Sequence, residues 1–151
     1  SLMAAYPVLS DVDTPVSPVV EPDKPLKLRG IMQEMGRNMG LIKDAVSAEA
    51  WDQVAENAVL VRDHPKPPMS EGFRIMAFAG SDISRFRGFD KQNKKLANQL
   101  AQIAGQGGAD DVLTAFSDLK ENCQRCHQTF RKPLQRHFYG EEWLSQPGLA
   151  K

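Results

Sequence analysis

The two cysteines of this chain stand three positions apart and a histidine follows the second, in the run Cys123-Gln-Arg-Cys126-His127. Two thiols at this spacing match the two vinyl groups of a haem, with which they can form thioether bonds, and His127 is then placed to bind the iron from one face. A flat apolar macrocycle needs a pocket, so the pentapeptide constrains the fold as well as the chemistry. Two other uses of the cysteines compete with this one. A zinc ion normally takes four ligands, often as two spaced pairs. The histidines are His64, His127 and His137; none forms a spaced pair, and His127 adjoins Cys126 too closely to share one tetrahedral ion comfortably. A redox CxxC opens a helix after a strand, where the helix terminus lowers the thiol pKa. Here Val112 to Asn122 already read as helix. Haem attachment is the expectation, with zinc and a redox disulfide as the weaker alternatives.

A length of 151 residues suits one domain with one core. The formal net charge is zero, which argues against nucleic acid as a partner. No apolar stretch reaches the length of a transmembrane segment. No complete signal peptide is recognisable, so the sequence reads as a mature or engineered form. Haem attachment to CxxCH normally takes place outside the bacterial cytoplasm, and the cofactor therefore implies an exported, periplasmic protein.

Along the chain, residues 1–25 carry Pro7, Pro15, Pro18, Pro22 and Pro25 and read as an extended arm or linker. The domain proper is expected over 26–132, with a C-terminal extension over 133–151. Leu28, Ile31, Met32, Met35, Met39, Ile42 and Val46 recur at three- and four-residue steps and predict a first helix. Ser47 is the expected N-cap of a second, with Trp51, Val54, Ala58 and Val61 as its apolar stripe. His64-Pro65 and Pro67-Pro68 end it, and His64 is expected at the surface. Residues 65–82 read as a long crossover loop anchored by Phe73, Ile75, Met76 and Phe78. A third helix carries Phe86, Phe89, Leu96, Leu100 and Ile103 and stops at Gly105 to Gly108. The last carries Val112, Phe116, Leu119, Cys123, Cys126 and Phe130, with Pro133 marking its end or a kink. The tail bears Phe138, Tyr139 and Trp143, enough to add a short turn or helix. Four amphipathic helices with two short connections and one long one predict an all-α fold, an antiparallel four-helix bundle with covalently bound haem on its last helix.

A CxxCH late in the chain, on the last helix of an all-helical domain, resembles the class II c-type cytochromes, the cytochrome c′ superfamily with its low-spin, methionine-ligated branch. The run His127-Gln-Thr-Phe130-Arg131 is similar to the stretch beginning at the haem histidine in that family. Ile31-Met32-Gln-Glu-Met35-Gly36-Arg-Asn-Met39-Gly40 is similar to the M-x-x-M-G-x-x-M-G pattern of its first helix, and a glycine-bearing turn precedes the haem helix. The resemblance covers about residues 26–132.

The resemblance implies one covalent haem c, held by Cys123 and Cys126, with His127 as proximal axial ligand. It also implies that the first helix crosses the opposite face of the haem, and the shared pattern puts Met32 there. A thioether at that position is a soft, neutral ligand that stabilises ferrous haem and raises its potential. Met is also a common core filler, and Met35 and Met39 are expected in that role, Met35 with Phe130 as haem-packing neighbours. Met69 and Met76 are weaker candidates for the ligand, and His137 weaker still. Arg131, one turn after His127, and Arg29, early in the first helix, are candidate contacts for the haem propionates. The resulting expectation is an electron-transfer cytochrome with six-coordinate His/Met low-spin haem. The alternative is a five-coordinate high-spin haem that binds nitric oxide or carbon monoxide, with Met32 as an apolar gate. An enzyme is not expected, since no distal His/Arg pair is identifiable. The implied partners are redox proteins, and a homodimer is compatible because relatives pair through their first two helices.

Overall fold

The computed structural model describes residues 26–140. The Pro-rich arm over 1–25, and the part of the C-terminal extension from 141 onward with Trp143, lie outside the described residues. The helices are α1 (Lys27–Ser47), α2 (Trp51–Arg62), α3 (Met69–Ala79), α4 (Ile83–Gln106) and α5 (Ala109–Tyr139), with a 3-10 turn at Gly80–Asp82 leading into α4. No strand occurs among the described residues.

The fold is all-α, an antiparallel four-helix bundle built from α1, α2, α4 and α5. Short connections force neighbouring helices to run antiparallel. At the first, Glu49 adopts φ 55 between α1 and α2, and the amides of Ala48 and Glu49 return to the carbonyls of Asp44 and Val46. At the second, Gly107 takes the left-handed conformation, φ 83, and its amide bonds the Ile103 carbonyl. That geometry ends α4 at little cost because glycine has no Cβ. Asp110 and Asp111 then fill the first turn of α5, where negative charge complements the helix dipole.

Ile42, Val54, Val61, Leu100, Val112 and Leu119 are the largest fully enclosed side chains. They come from all four bundle helices, so one core locks the bundle; burial of each such side chain stabilises by about 1.5–3 kcal/mol. A second, smaller cluster of Leu26, Ile75 and Phe138, joined by Phe78, Phe86 and Leu134, lies at the other end. It fastens α3 and the end of α5 over the start of α1.

Several details differ from the sequence-based expectations. Residues 69–79 form α3 inside the supposed loop, because Glu71, Ile75 and Phe78 share one helical face and Ile75 is buried. The Pro and Gly punctuation conceals that spacing. Ser47 is the last residue of α1 and does not cap α2, whose N-cap is Ala50. Pro133 does not end α5, which continues to Tyr139. An interior proline costs about 3 kcal/mol, but burial of Phe138 and partial burial of Leu134 in the second cluster offset it.

Candidate haem site

The bundle is least closed between α1 and α5, which touch over far less of their length than α1 and α2, α2 and α4, or α4 and α5. A cleft of about 380 Å³ opens there. Leu28, Arg29, Met32, Gln33 and Gly36 face it from α1, Phe86 from α4, and Cys126, His127, Phe130, Arg131, Leu134, Gln135 and Tyr139 from α5, with Leu26 at the end. On both long helices these positions recur every three or four residues, so each contributes one face.

Three residues along a helix decide the fate of its methionines. Met35 is only 8% exposed and belongs to the main core, while Met32 is 37% exposed and lines the cleft. Met35 is packed in the main core and is not among the side chains that line the cleft. Met69 is 76% exposed on α3, and the Met76 sulfur accepts a 4.0 Å contact from Arg87; neither lines the cleft. Among the described residues Met32 is the one methionine that lines the cleft.

The thiols sit one helical turn apart on α5. Cys126 faces the cleft, whereas Cys123 is packed against the core and donates from Sγ to Asn93 Oδ1 at 3.3 Å. Burial raises the pKa of both, and for Cys126, with Cys123 and Asp90 adding to the effect, the value is pushed up to about 11. The two are not joined in a disulfide, and before haem attachment they are thiols and not thiolates. His127 is open to the cleft, yet the side chains around it desolvate the ring, and Arg131 is close by. Desolvation first and that positive charge second lower its pKa. The imidazole is thus kept neutral, the form that binds a metal.

Arg29 and Arg131 both line the cleft. Phe130 is 6% exposed in the floor. His137 lies elsewhere, packed at 4.7 Å against both Phe78 and Phe138. His64 is not a simple surface residue: its side chain is 7% exposed and Nε2 lies 3.0 Å from Asp90 Oδ1. Gln33, Gly36, Leu134, Gln135 and Tyr139 line the cleft as well and were not expected as site residues. For Gly36, four residues from Met32, and for Leu134 and Gln135, seven and eight from His127, helical register was the available signal; Gln33 and Tyr139, at one and twelve residues, carried none of that kind.

The cleft meets the requirements of a covalent haem. It has apolar walls, the Cys126 thiol with that of Cys123 one turn away on the core side, a neutral imidazole beside Cys126, and two arginines for carboxylates. A Cβ built on Gly36 would meet nothing within 4 Å, so this side of α1 leaves room for a flat group. Gln135 Oε1 is buried in the wall without a hydrogen-bond partner. An amide can turn to present either donor or acceptor, and a haem carboxylate would satisfy it. Among the described residues no cluster of three or more His, Cys, Asp or Glu side chains could hold a metal ion.

Thiols, imidazole and cleft in a helical bundle define a c-type haem protein. Residues 27–131 match the family model for cytochrome c′, and the chain belongs to that family. It carries one covalent haem c, as proteins of the family do. Cytochrome c′ from Allochromatium vinosum is 27% identical over 156 aligned residues, covering 87% of this chain and 95% of that protein. No solved structure matches. No helix among the described residues is long and apolar enough to cross a membrane.

Proposed function

We propose that the protein is an electron-transfer cytochrome in which His127 and Met32 are the two axial ligands of the haem. The observation that carries this is the presence of Met32 and His127 in the walls of one cleft, on α1 and α5 respectively. The haem supplies a one-electron couple. Around it the chain does three things. His127 offers a neutral imidazole, Met32 a soft thioether that favours the ferrous state, and Arg29 and Arg131 positive charge for the propionates. With ligands on both faces, coordination changes little with oxidation state, which suits fast electron transfer. The protein is not an enzyme in this account, it works in the periplasm, and its partners are redox proteins. Pairing with a second copy through α1 and α2 is compatible with it.

A second reading has its own support. The family and the A. vinosum relative both carry the name cytochrome c′, and in this respect they favour a five-coordinate, gas-binding haem over the six-coordinate one. Met32 would then be an apolar gate. The absorption spectrum of the reduced holoprotein separates the two. Sharp, split bands that carbon monoxide leaves in place are expected for the electron carrier. A broad, unsplit band that shifts on adding carbon monoxide would establish the gas-binding protein instead.

A further inference from the structure

The formal charge of zero conceals a separation of charge along the bundle. The end bearing the cleft comprises residues 26–37, 62–95 and 122–140 and holds fifteen Lys and Arg against five Asp and Glu. The far end, residues 38–61 and 96–121, holds two against eight. Four of the five acids at the cleft end are already engaged. Glu71 caps the start of α1, Asp90 meets His64, Asp63 pairs with Arg62 and Glu34 with Arg37. On α5, Lys132 and Arg136 are exposed and four residues apart, so they share one outward face. Two haem propionates would remove only two charges from an excess of ten.

We infer that the cleft end is a docking surface for the acidic face of a partner protein. This rests on the electron-carrier reading and names the chemistry of its partner. An opposed pair of charged ends gives the molecule a dipole, which turns the cleft toward a negative surface before contact and raises the rate of productive encounter. The charge surrounds the cleft that holds a one-electron cofactor, which favours a redox protein over a nucleic acid as its occupant. The acidic segments outside the described residues, 1–25 and 141–151, join the bundle at this same end and hold six acidic against two basic residues. If they neutralised the surface, the full chain would not bind a polyanion.

The test uses the full haem-loaded chain and titrates it with poly-L-glutamate, poly-L-lysine and phosphatidylglycerol vesicles, while the absorption spectrum is recorded throughout. Poly-L-glutamate should bind, weakening at least about tenfold between 20 and 200 mM salt as the charges are screened. Lys132→Glu/Arg136→Glu should weaken it by at least about tenfold, and Asp52→Asn/Glu56→Gln at the far end should leave it unchanged. The inference is overturned by absence of binding, by insensitivity to the Lys132/Arg136 change, or by vesicles binding as tightly as poly-L-glutamate. Failure of the electron-carrier reading would show separately, as a high-spin spectrum that shifts with carbon monoxide.

Discussion

The Glu71 carboxylate accepts the Lys27 backbone amide on both oxygens, at 2.7 and 2.9 Å, across 44 residues of sequence. Its Oε2 also lies 3.4 Å from the Leu28 amide, and the Tyr139 hydroxyl accepts the Leu26 amide at 2.7 Å. The first amides of α1 have no partner within their own helix. They are satisfied instead by α3 and by the last turn of α5. Two elements at the mouth of the cleft thus hold the helix that carries Arg29 and Met32.

Glu71→Ala should therefore cost about 1–2 kcal/mol in urea unfolding, the usual loss for a helix cap whose amides become unsatisfied. Glu71→Gln, which keeps one acceptor oxygen, should recover part of that. Equal stability of the alanine variant and the parent would show that water replaces the carboxylate fully.

His64 and Asp90 join the end of α2 to α4 and make a pH-sensitive contact. The bond from Asp90 raises the pKa of His64, with burial opposing it, and the same bond lowers that of Asp90. Lys94 and Lys66 face the pair and favour the ionised Asp90. The contribution to stability is complete below the ordinary histidine value of 6.5 and fades as pH rises through the higher folded value. On the acid side it holds above 3.8 and is lost as pH falls through the lowered folded value of Asp90. Asp90 is 42% exposed, so solvent screening limits the effect to about 1 kcal/mol or less. Unfolding measured from pH 6 to 9 should show this decline, and His64→Gln should flatten it. A slope that survives in His64→Gln would assign the titration to another group.

Pro133 interrupts the hydrogen bonding of α5 while Phe138, beyond it, is only 8% exposed. Pro133→Ala should raise stability by about 1 kcal/mol or more, since the proline lacks an amide hydrogen and crowds the preceding turn. Phe138→Ala should lower it by about 3–5 kcal/mol. If neither change registers in thermal unfolding, the last turns of α5 do not fold with the bundle.

Most of the bundle was legible in the sequence because helix faces are written locally. The stripe from Ile31 to Val46 and the glycines after Ile103 place α1 and the end of α4 within a few residues. The pentapeptide carried the cofactor by itself. What was not legible depended on partners distant in sequence. α3 is hidden by Pro67, Pro68 and Gly72, and only the burial of Ile75 against Leu26 and Phe138 reveals its helical face. Met32 and Met35 share a stripe in the sequence. The gap between α1 and α5 is what turns one to the cleft and leaves the other in the core. His64 could not be tied to Asp90, because that contact spans 26 residues and two helices. The segregation of charge was hidden for the same reason: zero is the sum over two ends that only the antiparallel fold separates.

The most direct test of Met32 as the second axial ligand is the absorption spectrum of Met32→Ala beside the parent holoprotein, with Met35→Ala as control. The parent should be low-spin, with a weak far-red sulfur-to-iron band when oxidised. Met32→Ala should lose that band, become high-spin and bind carbon monoxide when reduced, while Met35→Ala should keep the parent's axial ligation. A Met32→Ala spectrum identical to the parent's would contradict the assignment of Met32 as the second ligand.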